Sequence, residues 1–444
     1  MQALTTPATE VLYGGAAGGG KSHLMRVAAI AWALSAPGVQ VVIVRREFPD
    51  LKANHFSGRQ GFPALLMPWI ASGQVRFNVS DLTITFPNGS TIVGKHCQRE
   101  KDVDGFQGSE IDGLLVDELT HFTAYQYEFI RSRCRSANLP PGRFRFPRIL
   151  CGSNPGSVGH NWVKGMWVDP RPVNEAWQAE GGWMRQFIPA RLADNPSLGQ
   201  EYAASLEALP EHLRKALRDG DWNIVAGGMF DDVWRGGVVR SAIPIPASWR
   251  RSRSFDWGSS KPFAVCWWAQ SDGTTAPGCM DLPKGSWVLT DEWYGWSGKP
   301  NEGAKMLAVE VAQGIKEREA VMGIKDVAPG PADSAIFASE NGNCIADDMA
   351  KRGVRWVPAE KGPGSRVNGW EKMRSLMQEA AKNRPEGPCL VIFDRCRHAC
   401  RTLPTLPRDH LKTDDVDTDA EDHIADAVRY RVMQPDRKVG GILV

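Results

Sequence analysis

The chain has 444 residues, too many for one hydrophobic core, so two or three domains are expected. At 42% hydrophobic and 23% charged residues it has a folded, globular composition, which excludes a disordered protein. The net charge of +2 excludes any argument from bulk electrostatics, so nucleic-acid binding would have to rest on local basic patches.

The nine cysteines are odd in number and widely spaced, which suits reduced thiols of a cytosolic protein rather than a disulfide framework. Cys396, His398 and Cys400 lack a second ligand pair at zinc-site spacing and are expected in the core or on the surface. No cationic and apolar leader and no fixed-period repeat is visible. The longest apolar run is too short and too interrupted to cross a membrane.

Val11-Leu12-Tyr13 reads as a buried strand. It runs into Gly15-Ala16-Ala17-Gly18-Gly19-Gly20-Lys21-Ser22, a full match to the phosphate-binding loop pattern. Such a loop wraps a triphosphate with its own N–H groups, so glycines keep side chains out of the way. Lys21 would reach the β- and γ-phosphates and Ser22 would bind Mg²⁺. The segment His23 to Ala36 has helical spacing and stops at Pro37-Gly38, so the loop has the required strand before it and helix after it.

Val39 to Val44 is a β-branched strand ending in Arg45-Arg46-Glu47; either arginine could contact a phosphate or pair with Glu47. Gln74 to Phe86, Pro87-Asn88-Gly89 and Thr91 to Gly94 read as a hairpin. Ile111 to Val116 is an apolar strand that delivers Asp117 and Glu118 at its end. Asp117 suits Mg²⁺ and Glu118 suits a general base for the attacking water. Between Arg131 and Arg148 lie six arginines and no acid, read equally as a loop over a phosphate backbone or neighbouring subunit and as a solvated face. Arg148 to Cys151 is another strand, and Asn154 at its end is the candidate for sensing the γ-phosphate. Asn161 to Ala226 is rich in Trp and helix formers, with helices expected at 197–208 and 211–218.

A linker is expected over 227–248, where Gly-Gly and Ile-Pro-Ile-Pro break the periodicity. Strands follow at Ser252–Asp256, Phe263–Trp268 and Trp287–Trp293, then helices at 301–319, 342–351 and 367–382. Asp256 ends the first of these strands, Asp333 follows Pro331-Ala332, and Asp422 opens a helix on which Asp426 shares its face. Carboxylates from a strand, a loop and a helix can hold two divalent ions roughly 4 Å apart for phosphodiester cleavage. Lys361-Gly362-Pro363-Gly364-Ser365-Arg366 reads as a basic loop on a DNA backbone or as an ordinary helix entry. Asp414, Asp415, Asp417 and Asp419 read as a solvated loop from which a carboxylate could approach the site.

The phosphate loop, the strand ending in Asp117-Glu118 and the turn Ser153-Asn154-Pro155 resemble the ATPase of the large terminase subunit of tailed bacteriophages. Asp219-Gly220-Asp221-Trp222, Asp256-Trp257-Gly258 and Asp422 to Tyr430 extend the resemblance to about residues 12–430. The implied fold is α/β: a RecA-like P-loop ATPase domain over 1–226, the linker over 227–248, an RNase H-like nuclease domain over 249–436 and a tail over 437–444. The resemblance implies a nucleotide site of Gly15, Ala16, Ala17, Gly18, Gly19, Gly20, Lys21, Ser22, Asp117 and Asn154, with Glu118 catalytic. It also implies nuclease metals on Asp256, Asp333 and Asp422, with Asp426 in reserve because Asp-His stands where the family has paired aspartates. ATP, Mg²⁺ at the ATPase site and two Mg²⁺ or Mn²⁺ at the nuclease site are the implied cofactors. Double-stranded DNA, a portal on a procapsid, a small terminase subunit and further copies in a ring are the implied partners, in the cytoplasm of an infected bacterium and with no membrane. The alternatives are a host-type repair ATPase with nuclease and a nucleotide-gated scaffold without cleavage. Arg45, Arg46, Arg99 and the 131–148 cluster all stay open as the arginine that acts on a neighbour's ATP.

Overall fold

The computed structural model describes residues 2–434, apart from 137, 138, 140, 141, 196–199, 210–213, 215–217, 223–226, 300, 326, 340–343, 383 and 410. The expected tail at 437–444, Pro140-Pro141 and most of the expected helix at 211–218 lie outside the described residues. The chain divides into two compact units, 1–226 and 227–444. Among the described residues no helix is long and apolar enough to cross a membrane.

The first unit is built on nine strands: β1 Glu10–Gly15, β2 Gln40–Arg45, β3 Arg76–Asn78, β4 Thr83–Thr85, β5 Thr91–His96, β6 Gly113–Asp117, β7 Arg148–Ser153, β8 Ala176–Gln178 and β9 Met184–Ala190. Their order is β3-β4-β5-β2-β6-β7-β1-β9-β8. The six from β5 to β9 run parallel, and the short outer strands are antiparallel. Strand β7 lies between the loop-bearing β1 and β6, the extra strand that defines a RecA-like P-loop core. Parallel central strands are covered on both faces, which is why Leu114, Leu115, Val116, Ile149, Leu150 and Cys151 are all buried. Helix α1, Lys21–Ala33, buries Met25, Ala28, Ala29, Trp32 and Ala33, the spacing of a core-facing stripe.

Strand β9 is absent from the sequence reading, which expected helix formers there. Its Arg185 disguises the apolar pattern, yet that side chain is neutralised by the buried Glu10 of β1 at 2.7 Å. Glu10 also holds Arg131 at 3.0 Å and accepts a 2.6 Å hydrogen bond from Tyr127 Oη. The arginine cluster is thus partly structural. Arg148 is buried and donates to the carbonyls of Thr6 and Ala8, and Arg135 pairs with Glu110. Arg143 and Arg145 stay exposed.

The second unit carries β10 Val239–Arg240, β11 Arg250–Asp256, β12 Phe263–Gln270, β13 Trp287–Gly295, β14 Gly330–Ala332, β15 Trp356–Pro358 and β16 Leu390–Phe393. The order β10-β16-β13-β12-β11-β14-β15 has an antiparallel meander (β13-β12-β11) extended by β14 and β15, each parallel to its neighbour. That is the RNase H-like sheet. Odd positions of β11, Arg253 and Phe255, face helix α2, Ala308–Val321, where Arg253 forms a buried ion pair with Glu319. Even positions, Ser252, Ser254 and Asp256, face helix α3, His423–Met433. Small serines there let the helix come close.

Two expectations change. The segment 227–248 is built into the second unit: Met229, Phe230, Val233 and Val238 are buried and β10 pairs with β16, because its apolar side chains find a core despite the glycines and prolines. The helix expected from 301 starts at Ala308, since Asn301 and Lys305 take positive φ of 57° and 56° and Gly303 bridges to Trp296.

Candidate functional site

The C-terminal edges of β1, β7 and β6 bring the first site together. Gly15, Gly18 and Gly20 adopt φ of 125°, 76° and 76°, which turns the loop's backbone into a cradle. Ala16 is anchored by its N–H to Ala190 O at 2.9 Å. Tyr13 Oη donates to Gly19 O at 2.9 Å and Asn195 Nδ2 to Gly18 O at 2.8 Å. Gly220 packs on the start of the loop at φ 66°, and a Cβ there would meet Ala16 N at 2.5 Å. Ala17 and Ser22 are half-buried, Ser22 in the first turn of α1.

Lys21 is buried and donates to Ala16 O at 2.8 Å and to Asn154 Oδ1. Asn154 also gives a backbone hydrogen bond to the Glu118 carboxylate. Asn154 therefore touches both the loop lysine and the candidate base. Its turn is braced by Ser153, whose Oγ accepts from Thr120 N at 3.1 Å. Glu118 sits at φ 54°, a left-handed conformation uncommon for a residue with a side chain, as strained catalytic positions often are. Burial, then the neighbouring Asp117, raise the pKa of Glu118, against the pull of Lys21 and Arg45. Burial lowers that of Lys21, opposed by Glu118 and Asp117.

Asp117 is 1% exposed. Burial opposes its charge, but the hydrogen bond from His55 and the charges of Arg45 and Lys21 outweigh burial and lower its pKa. His55 Nε2 lies 3.0 Å and Arg45 Nη1 2.8 Å from its Oδ2. Arg45 thus pairs with Asp117, not Glu47, and Arg46 Nη1 donates to His121 O at 2.9 Å. His55 escaped the sequence reading, because nothing local signals a histidine that meets its carboxylate across 62 residues. It sits in a π-helical turn, Lys52–Ser57, a distortion often kept at functional positions.

The second site gathers where β11, the end of β14 and the start of α3 meet. Asp256 Oδ1 accepts from Tyr430 Oη at 3.3 Å, and its Oδ2 lies 3.3 Å from His423 Nδ1. His423 Nε2 is 2.9 Å from Asn301 Oδ1. Asp333 caps a short turn through Ala335 N and pairs with Lys361. Asp422 pairs with Arg366 at 3.0 Å, and Asp426 with Arg429 at 3.0 Å. Arg429 is pressed against helix α4, Ser365–Ala380, at Gly369, where a Cβ would meet its Cγ at 2.5 Å. Asp415 reaches the site indirectly, 2.9 Å from Arg366 Nε.

Burial raises the pKa of Asp256 to about 6, against the hydrogen bond from His423, with Asp426 and Asp333 adding to the rise. Burial and then Asp426 raise that of Asp422 to about 7. Asp256 is thus near enough to Asp333, Asp422 and Asp426, and Asp422 to Asp426, for their charges to oppose one another, and the side chains are hard-oxygen donors of the kind Mg²⁺ or Mn²⁺ takes. Among the described residues, however, no three His, Cys, Asp or Glu side chains stand close enough together to share an ion. Each candidate instead holds a cationic or hydrogen-bonding partner.

The chain thus joins two α/β units, a P-loop core with an inserted strand and an RNase H-like sheet bearing carboxylates. Residues 12–236 match the family model for the terminase large subunit, T4likevirus-type, N-terminal. The chain belongs to the large terminase subunit family. Nothing among curated proteins matches it. Among solved structures it is similar to the large terminase of a thermophilic bacteriophage, at 16% identity over 97% of both chains with a TM-score of 0.41. It is similar to the HK97 bacteriophage large terminase at 11% identity over 97% of this chain and 92% of that one, TM-score 0.47. The P22 large terminase nuclease domain matches at 16% identity over 47% of this chain and 93% of that one, TM-score 0.34.

Proposed function

We propose that the protein hydrolyses ATP to drive double-stranded DNA into a procapsid and cuts the concatemer with a metal-dependent endonuclease. The observation that carries the motor half is the double contact of Asn154 with Lys21 and Glu118. Loop N–H groups from Ala17 to Gly20 would wrap the phosphates, and Lys21 would leave Asn154 to neutralise them. Ser22 and Asp117 would hold Mg²⁺, which supplies charge neutralisation on the phosphate oxygens. Glu118, its proton affinity raised, would take the proton of the attacking water. Asn154, released by Lys21, would report the bound phosphate to the Ser153–Gly156 turn.

In the second unit Asp256, Asp333 and Asp422 would hold two Mg²⁺ or Mn²⁺, with Asp426 beside them. Bound there, the ions supply the charge that activates water and stabilises the leaving oxygen. Tyr430 and His423 would orient Asp256. Family membership supports ring assembly on a portal and a small terminase partner in the cytoplasm of the infected host.

The test is whether the purified protein both hydrolyses ATP and nicks plasmid DNA. Lys21→Ala is expected to lose only the first activity and Asp256→Asn only the second. Turnover retained in Lys21→Ala, or cutting retained in Asp256→Asn, removes that half of the assignment.

A further inference from the structure

Two of the four candidate carboxylates are covered by side chains from one short stretch. Lys361 pairs with Asp333, and Arg366 with Asp422 at 3.0 Å. Lys361 sits on an exposed turn between β15 and α4, followed by Gly362 and by Gly364 at φ 75°. Arg366, in the first turn of α4, is shared with Asp415 at 2.9 Å and lies against the Trp370 ring at 5.7 Å. The side chains of Lys361 and Arg366 are 40% and 30% exposed, so both can be reached from solvent while Asp333 and Asp422 lie deeper.

We propose that Lys361 and Arg366 are built-in counter-ions that DNA removes, so that backbone phosphates and the divalent metal load the site together. This rests on the reading of the second unit as a metal-dependent nuclease. A metal ion and an ammonium or guanidinium group compete for the same carboxylate oxygens. A DNA phosphate competes with those oxygens for the same two cations, and arginine suits it especially well. Transferring Lys361 and Arg366 to phosphates leaves Asp333 and Asp422 uncompensated and thereby raises their affinity for a divalent ion. Linkage makes the effect reciprocal: bound metal tightens DNA binding by the same factor. In the DNA-free protein the pairs keep the carboxylates neutralised and metal loading weak.

The experiment is a titration of Mn²⁺ into the whole chain without nucleotide, followed by loss of the free-ion EPR signal, with and without a short DNA duplex and with the duplex alone as blank. Wild type is expected to bind Mn²⁺ about tenfold more tightly with DNA, the scale of one charge pair near a protein surface. The double variant Lys361→Gln/Arg366→Gln is expected to bind at the tight value without DNA and to gain little from it. Equal Mn²⁺ affinity of wild type and the double variant in the absence of DNA overturns the proposal. Asp256→Asn separates the two readings. If it abolishes Mn²⁺ binding while the double variant matches wild type, the metal site stands and the counter-ion role falls. If it binds Mn²⁺ as wild type does, the nuclease reading falls and takes the proposal with it. Should the double variant lose its fold by circular dichroism, Lys361→Gln alone, on an exposed turn, carries the same comparison with a smaller shift.

Discussion

In the first unit the ligand cradle is backbone: consecutive residues from Gly15 to Gly20 hold their shape through φ values that glycine permits, and the neighbours Tyr13 and Asn195 bind loop carbonyls rather than side chains. In the second unit the cradle is side chain: Asp256 comes from a strand, Asp333 from a turn and Asp422 and Asp426 from the start of one helix, and every one of them is held by a partner that a metal would have to displace. The contrast shows two ways of storing an ion site. A backbone nest holds its shape through main-chain conformation and needs no side-chain counter-ion. A carboxylate nest is costly to keep charged: burial first, and the neighbouring carboxylates after it, raise the pKa values of Asp256 and Asp422.

The largest effect expected of the first site is chemical. Glu118→Gln keeps the shape and removes the base, so ATP turnover should fall by about 10²–10⁴ while nucleotide binding persists. Turnover within a few-fold of wild type would move the base elsewhere. Gly220→Ala tests the backbone nature of the nest without touching a nucleotide-binding residue. Its Cβ would press on Ala16 N at 2.5 Å from a left-handed φ, so nucleotide affinity should drop at least tenfold, as measured by fluorescent-ATP titration.

The second site should respond to pH and metal instead. Asp256 and Asp422 have folded pKa values of about 6 and about 7, above their unfolded values, and His423 is also raised: burial lowers it, but the Asp256 hydrogen bond and charge outweigh burial. All three groups bind more protons folded than unfolded. Their contribution to stability is therefore present at low pH and lost as pH rises through the folded values. Without metal, the melting temperature of the second unit should fall between about pH 5 and 8 by roughly 2 kcal/mol equivalent, or about 4–8 °C. Added Mn²⁺ at pH 8 should recover it. The first unit, where Asp117 has the opposite shift, should lack that recovery without nucleotide. A melting curve of the second unit that is flat in pH and indifferent to Mn²⁺ would deny the raised proton affinity of these buried carboxylates.

The same contrast explains what could be read in the sequence. The phosphate loop, with its strand and helix, is contiguous, so local pattern sufficed. Asp117-Glu118 and Asn154 were legible because apolar strands deliver them in the order a P-loop sheet requires. His55 and Arg45 were not legible as partners of Asp117, since the pairing exists only after β2 and β6 lie side by side. The carboxylates of the second unit could be named one by one, and the fold brings them into mutual influence. Their cations could not be assigned: Lys361 and Arg366 lie 28 and 56 residues from the acids they hold. The segment 227–248 reads as a linker because glycine and proline punctuation signals a break in periodicity, while burial of Met229, Phe230 and Val233 depends on distant partners.

The smallest expected effect concerns the arginines between 131 and 148. The sequence left them open between DNA contact and solvated face, and the fold divides them. Arg131 neutralises Glu10 and Arg148 holds the carbonyls of Thr6 and Ala8, so substituting either should cost stability rather than DNA affinity. Arg143 and Arg145 are exposed and flank Phe144, the alternation of cation and ring that suits a phosphate backbone. Arg143→Ala/Arg145→Ala should leave the melting temperature unchanged and shallow the log–log salt dependence of DNA binding by about 1–2. An unaltered slope would make these two a solvated face as well, and would shift the search for the DNA track in this unit to Arg99, which is exposed, and Arg46, which reaches the His121 carbonyl beside the nucleotide site.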